Sequence, residues 1–154
     1  MTVAYDPNIA STSWIEHQVL NHVKQALRVT LDWDAPVVSM PRKLSSLKFT
    51  LKSFRRHLER VISIEEEGGY LEEVSFSKPN WQSKIDSLNR EHGRFRARIR
   101  ELSPRLESLS EWQEEEFATI CDEIRNLLDD IDCHDEKEID LLQESLLMDE
   151  GGEG

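Results

Sequence analysis

Three segments of this chain carry apolar residues at alternating steps of three and four, and each stripe is interrupted by side chains that bind metals. One runs Leu44, Leu47, Leu51, Phe54, Leu58, Val61 and Glu65. The next runs Ile85, Leu88, His92, Phe95, Ile99 and Leu102, and the last runs Ile124, Leu127, Ile131, His134, Glu138 and Leu141. Such spacing keeps every member of a stripe on one face of an α-helix. No segment alternates with period two between turn signals, so no sheet is expected. A carboxylate or imidazole on a buried face needs a partner, because an unpaired buried charge costs several kcal/mol or changes its protonation. A metal held between helices meets that need.

The punctuation between stripes sets the element boundaries. Ser11, Thr12 and Ser13, with Glu16 three residues beyond Ser13, read as a capped helix start. That helix runs to about Leu31. Residues 32–38, with Pro36, form a connection. Ser39 and Pro41 open a second helix that reaches about Glu67 and ends at Gly68-Gly69. Residues 70–76 read as a short turn, and Lys78-Pro79 opens a third helix that Pro104 should break or kink. Ser108 or Ser110 caps a fourth helix, which runs to about Met148. Four long helices joined by short connections predict an all-α fold, an up-down-up-down antiparallel four-helix bundle over residues 11–148. Residues 1–10 read as a flexible lead and 149–154 as an acidic disordered tail.

At 154 residues the chain is sized for one core. It contains no run of 18 apolar residues that would span a membrane, and its N-terminus has no signal-peptide pattern, so a cytoplasmic location is expected. Cys121 and Cys133 fall on one predicted helix about 18 Å apart by helical rise and cannot bridge within it. Reduced thiols follow. The net charge of −12 argues against nucleic acid as a partner. Charge is also uneven. Residues 42–60 carry Arg42, Lys43, Lys48, Lys52, Arg55, Arg56 and Arg60, whereas residues 111–154 carry seventeen acidic and two basic side chains. The basic second and third helices are therefore expected beside the acidic fourth. The four tryptophans, Trp14, Trp33, Trp81 and Trp112, fall near predicted helix ends and are expected to plug the bundle.

The candidate ligands differ in how firmly the pattern places them. His134 and Glu138 are one turn apart on an apolar stripe, and imidazole with carboxylate suits iron, zinc or manganese. A hydrogen-bonded His–Glu pair without metal fits the same spacing. His92 interrupts the neighbouring stripe in the same way. Glu91 beside it points elsewhere and reads as surface. Glu65 lies on its stripe by spacing, next to the solvated run Glu66 and Glu67. His57 falls one residue off the stripe, among arginines. The first helix offers two stripes. One is Ile15, Val19, His22, Ala26 and Val29, which periodicity slightly prefers. The other is His17, Leu20, Lys24, Leu27 and Leu31, which distance from the first connection prefers. His17 is the choice here. No nucleophile–His–acid set, phosphate loop or paired CxxC is present, and an enzyme is not expected.

In their order along the chain, these elements resemble the hemerythrin-like family of HHE cation-binding domains. They are Glu16-His17 with Leu20, Glu65-Glu66-Glu67-Gly68-Gly69-Tyr70-Leu71, Leu88-x-x-Glu91-His92, and His134-x-x-x-Glu138 followed by Leu141-Leu142. The resemblance covers about residues 14–148. It implies a four-helix bundle holding a carboxylate-bridged pair of iron ions, with His17, Glu65, His92, His134 and Glu138 as ligands and the glutamates able to bridge. It departs at Val61, where the family has a histidine, and His57 is the only nearby substitute. The expected protein binds metal, iron before zinc and two ions before one, and serves dioxygen or redox sensing or iron handling. Its expected partners are metal ions and dioxygen, with no nucleic acid and no membrane. The alternative is a structural or protein-interaction bundle with a degenerate, metal-free site.

Overall fold

The computed structural model describes residues 7–33, 39–67 and 81–151. The expected Gly68-Gly69 stop, the turn at 70–76 and the Lys78-Pro79 start lie outside the described residues. Four helices account for nearly all of what is described: α1 (Pro7–Leu31), α2 (Met40–Glu66), α3 (Gln82–Glu107) and α4 (Glu114–Gly151). There is no strand among the described residues.

The helix ends follow from local chemistry, with some differences from the sequence pattern. α1 begins at Pro7, a residue whose fixed φ suits a first helical turn, and the Ser11–Ser13 cluster lies within it rather than before it. α2 opens after Ser39, with Pro41 in its first turn, and the Lys43 amide donates to the Ser39 carbonyl at 3.0 Å. Pro104 does not end α3. The ring removes one intrahelical hydrogen bond, but only the last turn follows it, and the Ser108 amide closes that turn on the Pro104 carbonyl at 3.0 Å. α4 starts after Gln113 rather than at Ser108 or Ser110. Gln113 accepts from the Ser110 amide, and Glu114, Glu115 and Glu116 fill the first turn, where the helix dipole favours negative charge. Its helical backbone continues to Gly151, past the expected end near Met148.

The main interfaces are α1 with α2, α2 with α3, α3 with α4 and α4 with α1, which closes a ring of four. Cross-helix pairs run in opposite directions along each interface. Arg28 reaches Asp129 while Lys24 reaches Asp132, and Arg105 reaches Glu116 while Arg98 reaches Asp130. The bundle is thus antiparallel throughout. α3 lies beside acidic α4, as its charge suggested, but basic α2 sits diagonally across from α4, between α1 and α3. Its charge does not find α4 because its neighbours in the chain are also its neighbours in space.

Every residue of the α2, α3 and α4 stripes is buried, together with others such as Ile62, Leu106, Ile120 and Leu128. In α1 the stripe that periodicity preferred is turned out, with Ile15, His22, Ala26 and Val29 exposed, while Leu20, Lys24, Leu27 and Leu31 are buried. Lys24 is tolerated inside because its ammonium reaches Asp132 at 2.6 Å. Most of the core is one apolar cluster that includes Leu27, Phe54, Ile99, Ile124 and Leu127. A second, smaller cluster of Ile85, Leu88 and Leu141 lies toward the start of α3 and the end of α4, with Trp81 and Leu142 against it. Trp81 is the tryptophan that covers an end. Trp14 and Trp112 are 65% and 89% exposed and plug nothing. Cys121 is buried, Cys133 is exposed, and both are free thiols.

Candidate metal centre

Between the two apolar clusters lies a polar level. Glu65 from the last turn of α2, His92 from the middle of α3, and His134 and Glu138 from α4 are all buried there. Each is on its helix's inward stripe, so the same spacing that builds the core carries these four side chains to one height. One donor atom from each lies within 4.8 Å of all the others. His134 Nε2 is 2.7 Å from Glu138 Oε1 and 2.9 Å from His92 Nε2. His92 Nε2 is 3.1 Å from Glu65 Oε2 and 3.4 Å from Glu138 Oε1.

His17 joins from α1, with Nε2 2.7 Å from Glu65 Oε1. Glu65 thus turns one oxygen toward His17 and the other toward the histidines of α3 and α4. His22 is exposed. His57 does not join the group. Its Nδ1 stands 3.6 Å from Glu16 Oε2, and Arg60 holds the other Glu16 oxygen at 3.1 Å. Val61, one turn before Glu65, is buried in the larger apolar cluster and offers no donor atom.

Electrostatics follow from burial and from these pairs. Burial alone would lower the pKa of His92, but the Glu138 and Glu65 carboxylates outweigh it and lift the imidazole to about 9. Burial would raise Glu138, and His134 and His92 outweigh it, bringing the carboxyl down to about 2. His134 is raised in the same way, chiefly by Glu138 against the effect of burial.

Two further carboxylates stand behind the histidines, Glu91 hydrogen-bonded to His134 and Glu66 near His92 without a hydrogen bond, and the sequence pattern missed both. Glu91 is not a surface residue. Its side chain is 16% exposed, and Oε2 accepts from His134 Nδ1 at 2.7 Å while Lys137 holds Oε1 at 2.6 Å. Burial would raise the Glu91 carboxyl, but Lys137 and His134 bring it below its ordinary value. Glu66 stands behind His92, its Oε1 3.4 Å from Nδ1, and Arg96 holds its other oxygen at 3.0 Å. Each buried imidazole therefore turns Nε2 inward and Nδ1 toward a carboxylate that a cation anchors. An outer carboxylate on the far nitrogen fixes the tautomer that leaves Nε2 free to bind a metal. The Glu91-His92 pair hinted at this, because adjacent helix residues diverge by about 100° and one of them can serve the neighbouring helix. Glu91→Ala should weaken metal affinity about 10- to 100-fold, while Glu91→Gln, which keeps an acceptor, should retain most of it. Competition against a chromophoric chelator measures both.

The donor set suits a cation. Two imidazole nitrogens and two carboxylate oxygens are ligands that iron, zinc and manganese share. Metal–ligand bonds of about 2 Å place opposite ligands about 4 Å apart, close to the observed span. Phe95 meets the His134 ring edge-on with centroids 5.2 Å apart, and Leu88 and Leu141 close the opposite side, so water has restricted access.

No curated protein and no solved structure matches the chain. Residues 11–145 match the hemerythrin HHE cation-binding domain, a span that contains all four helices' inward stripes and every donor at the polar level. On that match and this geometry, the chain belongs to the hemerythrin HHE cation-binding domain family.

Proposed function

We propose that the protein is a cytoplasmic non-haem iron protein whose polar level holds two ions, serving dioxygen or redox sensing or iron handling rather than enzymatic turnover. The observation that carries this is the convergence of four buried donors, from three helices, within 4.8 Å. Glu65, His92, His134 and Glu138 would hold one ion, and His17 with the other Glu65 oxygen would hold the second. Iron supplies redox exchange with dioxygen or its products. The chain's own residues set the conditions. Glu91 orients the His134 imidazole, Glu65 would offer an oxygen to each ion, and Phe95, Leu88 and Leu141 restrict water.

The second position is poorer in donors because Val61 supplies none, so its ion should be lost first on dialysis. Metal analysis of protein from iron-supplemented cells should give more than one iron per chain before dialysis and about one after it. Less than about 0.2 metal per chain would overturn the reading, because a native-state site of this kind binds tightly.

One observation favours a metal-free alternative, an interaction module on the same fold. With His92 protonated, the buried carboxylates and imidazoles satisfy one another as ion pairs. The two readings separate on heating. A metal bound only by the folded state must raise the melting temperature, and a chelator must remove that gain. Equal melting with and without chelator would favour the alternative.

A further inference from the structure

α2 presents its outward face as a row of cations, most of which meet no carboxylate among the described residues. Arg42, Phe49, Lys52, Arg56 and Arg60 recur at helical spacing along the side opposite the core stripe, and all are exposed. Arg60 pairs with Glu16 at 3.1 Å. Arg42, Lys52 and Arg56 have no ion-pair partner among the described residues. Three arginines of α3 are paired instead. Arg98 pairs with Asp130, Arg105 with Glu116 and Glu123, and Arg96 with Glu66. Arg98 and Arg105 find these partners because α3 borders acidic α4, whereas α2 lies diagonal to it. In a chain of net charge −12, this is the face where charge runs the other way. An aromatic ring stands in the row, with Phe49 78% exposed. Beside the row, an open groove of about 620 Å³ is lined by Lys52, Arg55, Arg56, Arg60, Ser63 and Ile64, with Glu59 among them.

We propose that this face docks an acidic helical segment of another protein, one that places an apolar side chain on Phe49 and carboxylates on Arg42, Lys52 and Arg56. The row is one residue wide and about 27 Å long at helical rise, the footprint of a helix laid alongside. Complementary charge of this kind steers encounter and fixes register, and the aromatic supplies a desolvated anchor. A membrane fits less well. A basic amphipathic helix binds lipid through its apolar face, and here that face is spent on the core. Nucleic acid is opposed by the net charge. A second copy of this chain would have to offer the face of α4. Several carboxylates there are engaged internally, Asp129, Asp130, Asp132 and Glu144 among them, and contact between unlike faces on opposite sides of the bundle would not close a dimer.

The test uses the whole chain and a fluorescein-labelled synthetic helix of about 20 residues, rich in glutamate with leucine on one face, which spans about 30 Å. Fluorescence anisotropy should show saturable, salt-sensitive binding. The variant Arg42→Glu/Lys52→Glu/Arg56→Glu should bind at least about tenfold more weakly, and Phe49→Ser about tenfold more weakly. Because these side chains are exposed, circular dichroism should show both variants folded as the wild type. The proposal is overturned if the peptide fails to saturate up to about 1 mM, or if the variants bind as the wild type does. It is also overturned if duplex DNA or phosphatidylserine vesicles bind through these residues more tightly than the peptide, or if the same substitutions instead abolish self-association.

Discussion

His134→Ala should empty the centre. His134 is the residue on which most of the cluster's contacts meet. Its Nε2 lies within 3 Å of both His92 and Glu138, and its Nδ1 takes up Glu91. Truncation removes one donor and leaves Glu138 and Glu91 without that imidazole. Losing an outer partner alone costs about 10- to 100-fold in affinity, so losing the ligand should cost at least the upper end of that range. Iron content after dialysis should fall by about tenfold or more, and the chelator-sensitive part of the melting temperature should vanish with it. A variant that keeps wild-type iron and wild-type chelator sensitivity would show that the polar level does not hold the metal. Circular dichroism separates this from unfolding, since the larger apolar cluster does not include His134.

The metal-free protein should lose stability as the solution becomes alkaline. His92 titrates at about 9 when folded, against an ordinary value of 6.5. A group whose folded pKa is raised stabilises fully below its unfolded value, and that contribution disappears as pH climbs through the folded one. His134 is raised as well and adds in the same direction. Glu138 is brought from 4.5 down to about 2, so its contribution is present above 4.5 and lost as pH falls through 2. Asp135, raised by burial and by Glu138 from 3.8 to about 6, also costs stability as pH climbs through that span, so the apo form is expected to be more stable near pH 4.5 than at pH 9. Between pH 6.5 and 9 the His92 term alone amounts to about 3 kcal/mol, or about 6–12 °C in Tm for a chain of this size. Bound metal reverses the trend, because its ligands must be neutral imidazoles and its affinity rises with pH. Calorimetry at pH 6 and pH 9, with chelator and with iron, measures both slopes. A flat apo profile would mean that the imidazoles are not held against carboxylates.

Most of the architecture was written in the spacing of apolar residues. The stripes of α2, α3 and α4 became buried faces residue for residue, because a 3–4 repeat leaves a helix only one way to turn. α1 resisted for a definite reason. Its inward face carries Lys24, which looks solvent-facing until Asp132 of another helix is known to meet it. Glu65, His92, His134 and Glu138 were legible because they interrupt apolar stripes, and His17 because it lies about as far before the first connection as residues 57–61 lie after it. Glu91 and Glu66 were not, since their partners lie on or beside other helices and no local period reports them. The fate of basic α2 was also hidden, because charge complementarity names a plausible neighbour but ring order decides which helix is adjacent.

The polar level lies near one end of the bundle, with the large apolar cluster on one side and, among the described residues, Ile85, Leu88 and Leu141, backed by Trp81 and Leu142, on the other. An ion there would tie together the end of α2, the middle of α3 and the later part of α4. Its departure would be felt unevenly. Amide protons around residues 81–90 and 138–147 should exchange with solvent more readily, while those around Phe54, Ile99 and Ile124 stay protected. The occupancy of one small site would in this way be written into how firmly one end of the rod is fastened, a change that a neighbouring molecule can feel without touching the metal.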